Sequence, residues 1–171
     1  TFLMILKNLT KNFYINLISI FLIFALDRAS KIYVIYLSDK FNNSELFSSK
    51  FLNITLIWND GIAFGLFSFD QNHLYNSLTI IISVIILVLF IMIVKSRGFK
   101  KYALLTIFGG AIGNFYDRII YKAVPDFIDF HIGDFHWFIF NVSDIFITAG
   151  VIFMIIFEII DKPNNKINEK I

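Results

Sequence analysis

The stretch GGAIGNFYDRIIYKAVPDFIDFHIGDFHWFIFNVSD, residues 109 to 144, decides how the rest of the chain is interpreted. It is an apolar run that contains five of the 13 acidic residues of the chain: Asp117, Asp126, Asp129, Asp134 and Asp144. A carboxylate at the edge of a lipid-facing segment is costly unless it is paired, hydrated or used in chemistry. The first interpretation of this stretch is therefore a functional site.

The composition of the whole chain is that of a membrane protein. Hydrophobic residues make up 57% of the 171 residues and charged residues only 16%, whereas soluble domains have about 45–50% and about 25%. We predict one integral membrane domain over residues 1–171. The chain has no cysteine, which excludes disulfides, thiol nucleophiles and thiolate metal sites. The net charge of +2 lies mainly at the ends of apolar runs, which does not indicate nucleic-acid binding.

Four apolar segments are long enough to cross a hydrocarbon layer about 30 Å thick. We predict transmembrane helices at about residues 13–37, 74–94, 102–121 and 142–160. The first could be a signal peptide, but no small-x-small cleavage site follows it, so we expect it to remain in the membrane. The third has a small-residue face that includes Gly110, which suits close helix packing and the approach of a substrate backbone equally well.

The segments between the predicted spans differ in character. Residues 38–73 are predicted to form an extracytoplasmic β and interfacial region. Within it, apolar and polar residues alternate from Phe51 to Trp58, which indicates a strand of a small sheet. Ile62 to Phe69 is apolar but too short to span, so we predict an interfacial segment. Residues 122–141 are predicted to be a polar loop. The fold class is thus an all-α membrane protein with a small sheet.

The basic residues predict the orientation in the membrane. An even number of spans places both termini on one side, and lysine and arginine accumulate on the cytoplasmic side. Nine of the 15 basic residues share the side of the termini: Lys7, Lys11, Lys95, Arg97, Lys100, Lys101, Lys162, Lys166 and Lys170. We therefore expect cytoplasmic termini and an acidic stretch near the outer face of the membrane.

Asp126 and Asp144 flank the predicted loop and could face each other across the third and fourth helices. Two carboxylates that share a water cannot easily both ionise. One then keeps a proton and acts as the acid, while the other activates water as the base. This chemistry needs no His, Ser or Cys partner.

Five sequence blocks occur in an order that resembles a known family. They are DRASK at 27–31, WNDGIAF at 58–64, GGAIGNFYDR at 109–118, VPDF at 124–127 and FNVSD at 140–144. Together they resemble the lipoprotein signal peptidases, the signal peptidase II family. The resemblance implies an aspartic endopeptidase of the bacterial inner membrane. Its substrate is a prolipoprotein whose Cys carries diacylglycerol, and cleavage is on the amino side of that Cys. We expect a monomer with no cofactor, no metal and no nucleic-acid partner.

The resemblance also implies roles for individual residues. Asp126 and Asp144 would be the catalytic dyad. The residues expected to bind substrate or to support the site are Asp27, Lys31, Asn59, Gly61, Gly110, Asn114, Asp117, Arg118 and Asn141. Three positions depart from the family pattern: Lys122-Ala123 follows the third block where Gly is common, Pro125 replaces a usual Val, and Ser143 replaces a typical Ala.

Structural interpretations compete with functional ones at several of these positions. Asp117 is predicted to form an ion pair with its neighbour Arg118. Asp27 and Lys31 are four residues apart on a helix, so a neutralising helix pair explains them as well as function does.

Other interpretations concern the loop and the class of protein. His131, His136, Asp129 and Asp134 could form a metal site on paper, but their spacing matches no catalytic metal motif, so we predict a solvated loop surface. A small transporter or proton-pathway subunit is the main functional alternative, since intramembrane carboxylates often mark ion routes. A non-catalytic membrane assembly factor is a third possibility.

Overall fold

The computed structural model describes the backbone of residues 2–61 and 72–168 and the side chains of residues 13–61 and 76–160. Four helices lie in these ranges: α1 (Phe2–Phe41), α2 (Asn72–Lys95), α3 (Gly98–Tyr121) and α4 (Val142–Asn168). Each predicted span lies within one of these helices. Two segments of the described chain, Asn76–Lys95 and Val142–Ile160, are long and apolar enough to cross a membrane. The fold is therefore mostly helical, as predicted.

A four-stranded antiparallel sheet accompanies the helices. Its strands are β1 (Glu45–Ser48), β2 (Leu52–Asn59), β3 (Val124–Ile132) and β4 (Phe135–Phe140), in the spatial order β1-β2-β3-β4. The predicted strand near residues 51–58 is confirmed as β2. The interfacial segment predicted for residues 62–69 lies outside the described residues.

The prediction of a loop at residues 122–141 was wrong, because β3 and β4 form a hairpin there. The chain turns at Gly133, whose φ of +58° is readily adopted by glycine. The first four residues of β3, from Val124 to Phe127, are all buried, so the strand has no alternation of apolar and polar residues. The polar residues of this segment had suggested a loop, but Asp126 and Asp129 are buried and have partners elsewhere in the fold.

Two apolar clusters hold the elements together. Ile93 of α2 packs with Leu104, Leu105 and Phe108 of α3. The second cluster, Val34, Leu56 and Phe127, joins α1, β2 and β3. This second cluster anchors the sheet on the C-terminal half of α1 and places β3 beside the helices.

The small-residue face of α3 serves close helix packing. A Cβ added at Gly110 would lie 2.6 Å from the carbonyl oxygen of Ser143 in α4, and one added at Gly109 would lie 3.0 Å from the side chain of Ile23 in α1. The first approach is too close for any side chain, and the second is tighter than most Cβ contacts in proteins. The glycines thus allow α3 to bring α1 and α4 together at one level, where the buried polar residues lie.

Candidate active site

Asp126 and Asp144, called here the aspartate pair, come from different elements and are both buried. Asp126 lies near the start of β3 and is 3% exposed, and Asp144 lies in the first turn of α4 and is 7% exposed. A buried carboxylate is tolerated only when its oxygens accept hydrogen bonds. The donors around each one therefore define the site.

Both oxygens of Asp126 accept hydrogen bonds from side-chain amides. Asn59 Nδ2 donates to Oδ2 at 2.8 Å and Asn141 Nδ2 donates to Oδ1 at 2.6 Å. Burial raises the pKa of Asp126 from 3.8 to about 6, with a further rise from the nearby charge of Asp144 that the two amide donors only partly offset. Asp126 can therefore hold a proton up to about pH 6.

Asp144 is held at the N-terminus of α4 by a capping box. Asn141 precedes the helix, and its Oδ1 accepts from the backbone N–H of Asp144 at 3.2 Å. In return, Asp144 Oδ2 accepts from the backbone N–H of Asn141 at 3.1 Å. Since Asn141 also donates to Asp126, this one residue bonds to both members of the aspartate pair.

The amide groups around the aspartate pair are fixed in orientation by donor-only partners. Asn59 Oδ1 accepts from the backbone N–H of Gly61 at 3.0 Å. Asn114 Oδ1 accepts from Lys31 Nζ at 2.7 Å, and Asn114 Nδ2 donates to Asp144 Oδ1 at 2.8 Å. An amide whose oxygen is bound to a donor must present its NH₂ group on the other side. Each carboxylate thus receives two hydrogen bonds from groups that cannot reverse.

Four charged residues of α1 and α3 form a charge network next to the aspartate pair. Asp117 accepts a hydrogen bond from Lys31 Nζ at 2.7 Å and forms an ion pair with Arg28 at 2.6 Å. Asp27 pairs with Lys31 at 3.0 Å and with Arg28 at 3.1 Å. Asp27 and Lys31 form the neutralising helix pair that was one of the two interpretations of these residues. The predicted ion pair between Asp117 and Arg118 was wrong, because the partners of Asp117 lie on α1, far away in sequence.

The charge network and Arg118 tie the site to its surroundings. Asp27 Oδ1 accepts from the backbone N–H of Ser143 at 3.0 Å, which fixes the start of α4 against α1. Arg118 donates to the carbonyl oxygens of Gly61 at 3.1 Å and Asn114 at 3.2 Å, which links α3 to the end of β2. These contacts place the predicted site residues close together, around the aspartate pair and the charge network beside it.

Asp129 is not the solvated loop residue that was predicted. It is 5% exposed, and it accepts from His136 Nδ1 at 2.8 Å and from Asn53 Nδ2 at 3.3 Å. The rings of His131 and His136 stack with their centroids 4.9 Å apart. Among the described residues, no group of three or more His, Cys, Asp or Glu side chains is arranged to hold a metal ion. These residues stabilise the hairpin.

An apolar cavity of about 700 Å³ lies between the hairpin and α4, and Asp144 forms part of its wall. Aromatic side chains of the hairpin line one side: Phe130, Phe135, Trp137, Phe138 and Phe140. Ile145, Thr148, Ala149 and Ile152 of α4 line the other side. This cavity was not predicted from the sequence. The dense aromatic residues of FHWFIF were its only local signal in the sequence.

Arg28, which completes the charge network, was not among the predicted site residues. Arg28 stands in the DRASK block, and its guanidinium lies over the ring of Tyr116 at 5.0 Å from the ring centre. Its neighbours Asp27 and Lys31 were both expected at the site. Pairing of Arg28 across to Asp117 could not be inferred without the helix packing.

A sequence model of the signal peptidase (SPase) II family matches residues 19–160. The chain belongs to the signal peptidase II family. The lipoprotein signal peptidase of Pelagibacter ubique is 51% identical over 160 residues, which are 94% of this chain and 96% of that protein. The lipoprotein signal peptidase of Anaplasma marginale is 38% identical over 151 residues, 87% and 86% of the two chains.

Solved structures of two bacterial membrane enzymes share the fold of this signal peptidase II family member. One has a TM-score of 0.68 with 28% identity and covers 87% of this chain and 90% of that chain. The other has a TM-score of 0.66 with 32% identity and covers 82% and 90%. The family match includes all the residues around the aspartate pair, from Asp27 to Asp144.

Proposed function

We propose that this chain is an aspartic endopeptidase that removes the signal peptide from prolipoproteins bearing a diacylglyceryl-modified Cys, with Asp126 and Asp144 as its catalytic dyad. One observation carries the assignment of the dyad: the two buried carboxylates are linked through Asn141, and burial raises the pKa of Asp126 to about 6. A pair that retains one proton up to about pH 6 supplies both the acid and the base that peptide hydrolysis requires.

The proposed reaction is a hydrolysis in two steps. One carboxylate takes a proton from water as the water oxygen bonds to the carbonyl carbon, and the other carboxyl gives its proton to the carbonyl oxygen. The resulting gem-diol then collapses: the C–N bond breaks, the amine of the Cys takes the proton gained from water, and a diol hydroxyl returns the other proton to the dyad. The products are a signal peptide with a new carboxyl end and a lipoprotein with an N-terminal Cys.

We further propose that all four helices cross a bacterial inner membrane as one domain, that the protein works as a monomer, and that its termini are cytoplasmic. The basic residues at the chain ends and near residues 95–101 support this orientation. In α1 and α3, the charges of the network neutralise one another, which lowers the cost of placing these helices in lipid. The aspartate pair then lies toward the outer face.

The apolar cavity supports the proposal that the substrate carries a lipid. Its wall includes Asp144, and its other lining residues are mainly aromatic and aliphatic. A cavity of this kind takes up apolar groups. When the scissile bond lies at the aspartate pair, the diacylglyceryl group on the adjacent Cys is close enough to place acyl carbons there.

Cleavage of a diacylglyceryl-modified prolipoprotein by the purified protein tests the function directly. We expect Asp126→Asn and Asp144→Asn each to lower kcat by at least about 10³-fold, because each removes a proton acceptor or donor that hydrolysis requires. Asp134→Asn is the matched control, since Asp134 is an exposed aspartate of the same hairpin, and it should keep the parental rate. Near-parental cleavage by either dyad variant would refute the assignment of the dyad.

A further inference from the structure

The two members of the aspartate pair differ in what favours their negative charge. Asp144 lies in the first turn of α4 and accepts a backbone N–H from Asn141. The N-terminus of a helix carries a partial positive charge that stabilises an adjacent anion. Asp126 lies on a strand, and its two hydrogen-bond donors in the described structure are neutral side-chain amides. The helix therefore favours ionisation of Asp144 over that of Asp126.

Lys31 adds to this difference through a single amide. Its ammonium is fully buried and lies 2.7 Å from Asn114 Oδ1, while Asn114 Nδ2 lies 2.8 Å from Asp144 Oδ1. An ammonium has donors and no acceptor, so it holds the amide oxygen on its own side. It also polarises the amide, and hydrogen bonds in such a chain strengthen one another. Polarisation of Asn114 by Lys31 therefore strengthens the hydrogen bond that Asn114 donates to Asp144, which favours the negative charge of Asp144.

The other charged groups around the site do not reverse this bias. Asp27, Arg28, Lys31 and Asp117 form a closed network with two charges of each sign. Arg118 of α3 is a further cation near the site, where it donates to the carbonyl oxygens of Gly61 and Asn114. Asp129, the other buried acid of β3, is paired with His136 on the hairpin. The bias on the aspartate pair thus comes from hydrogen bonds and from the start of α4.

We propose that Asp144 is the ionised member of the pair and the general base, that Asp126 holds the shared proton and is the general acid, and that Lys31 is a positioning residue which sets this division through Asn114. The inference rests on the proposed function. Asp144 then removes the proton from the attacking water, and Asp126 gives its proton to the carbonyl oxygen. The raised pKa of Asp126 agrees with this division, since the negative charge of Asp144 contributes to the rise.

The pH dependence of kcat/KM tests which aspartate is the base and which is the acid, because it reports the ionisations of the free enzyme. The acidic limb follows ionisation of the base, and the alkaline limb follows loss of the proton from the acid. Asn114→Ala removes a hydrogen-bond donor from Asp144 and so disfavours its ionised form. The acidic limb should therefore move up by about one pH unit, which narrows the pH profile of kcat/KM. Asn59→Ala removes a hydrogen-bond donor from Asp126, which then keeps its proton to higher pH. The alkaline limb should therefore move up by about one pH unit, which widens the pH profile of kcat/KM.

The opposite pattern would overturn the division. If Asp126 were the base, Asn59→Ala would narrow the profile and Asn114→Ala would widen it. A lower rate with both limbs unmoved would mean that these asparagines are merely structural, which also contradicts the inference. Failure of the proposed function is distinct, since the parent would then not cleave the substrate at any pH.

The role of Lys31 is tested by combining two variants. Lys31→Met should move the acidic limb in the same direction as Asn114→Ala, and the double variant should move it no further than Asn114→Ala alone. Additive shifts would show that Lys31 acts by another route and would overturn its role. Should Lys31→Met fail to fold because Asp27 and Asp117 lose their cation, Lys31→Arg keeps the charge, and its acidic limb should remain closer to that of the parent than does that of Asn114→Ala.

Discussion

Asp126 has a pKa that makes the stability of the protein depend on pH. Its carboxyl binds a proton more tightly in the folded state, with a pKa of about 6, than at the unfolded value of 3.8. The resulting stabilisation is fully present below pH 3.8 and is lost as the pH rises through about 6. For a residue only 3% exposed, the whole effect is about 3 kcal/mol.

Thermal unfolding in detergent between pH 4 and 7 measures this effect. We expect the Tm of the parent to fall with rising pH relative to the Tm of Asp126→Asn, because the amide has no proton to lose. The comparison between the two proteins cancels the groups that titrate in both. Parallel Tm curves over this range would contradict the raised pKa of Asp126.

At the scale of elements, the residue that follows α3 has a strained backbone conformation that a substitution can relieve. Lys122 follows the helix in the left-handed region, with φ of 59° and ψ of 13°, and its N–H donates to Arg118 O at 3.1 Å. A non-glycine residue in this region costs about 1 kcal/mol relative to glycine. We expect Lys122→Gly to raise the free energy of unfolding by up to about 1 kcal/mol, which denaturant titration would measure.

Ala123→Gly is the control for this substitution. Ala123 has no positive φ, so glycine there only increases the freedom of the unfolded chain and should lower stability by about 0.4–1 kcal/mol. If both variants were destabilised alike, strain at Lys122 would not be the reason for the difference.

The apolar cavity gives a second prediction at this scale. Ala149→Phe places a ring inside the cavity wall, so it should displace acyl carbons of the substrate. Exclusion of only two methylenes costs about 1.6 kcal/mol, which corresponds to a roughly tenfold loss in kcat/KM, seen mainly as a higher KM. Val151→Phe adds the same ring to α4 at an exposed position outside the cavity and should leave KM unchanged. Equal KM values in the two variants would show that the cavity does not bind the acyl chains of the substrate.

The sequence predicted some elements better than others for a physical reason. Long apolar runs predicted the four helices, and alternation predicted β2, because both patterns are local. The hairpin was missed because Asp126 and Asp129 are satisfied by partners such as Asn59 and Asn53, which are more than 60 residues away. Local polarity cannot distinguish such a buried polar strand from a solvated loop. The partners of Asp117 were missed for the same reason.

The site residues, by contrast, were expected from short blocks. The resemblance indicated the residues to examine, and the structure brings Asn114 and Asn141 to the aspartate pair. It could not indicate the direction of each amide, because that depends on Lys31 and on the backbone N–H of Gly61. These orientations are properties of the assembled site.

At the scale of the whole molecule, the aspartate pair and the basic turn at residues 95–101 lie at opposite ends of the helices. At 1.5 Å per residue, Asp117 is about 28 Å along α3 from Gly98, and Asp144 is about 24 Å along α4 from Ile160. These lengths approach the thickness of a hydrocarbon layer, which is about 30 Å. The proposed orientation thus places the basic turn on one side of the membrane and the hairpin on the other.

Single cysteines test this orientation without background labelling from the protein itself, because its 171 residues include no cysteine. Asp134→Cys marks the exposed tip of the hairpin, and Ser96→Cys marks the basic turn without removing a charge. In intact spheroplasts, we expect a membrane-impermeant maleimide to label Asp134→Cys and to leave Ser96→Cys unlabelled until the membrane is permeabilised. Lysines and arginines near short loops retain those loops in the cytoplasm, and the proposed orientation places the hairpin on the outer side. Labelling of Ser96→Cys before permeabilisation would contradict cytoplasmic termini and would require the aspartate pair to face inward.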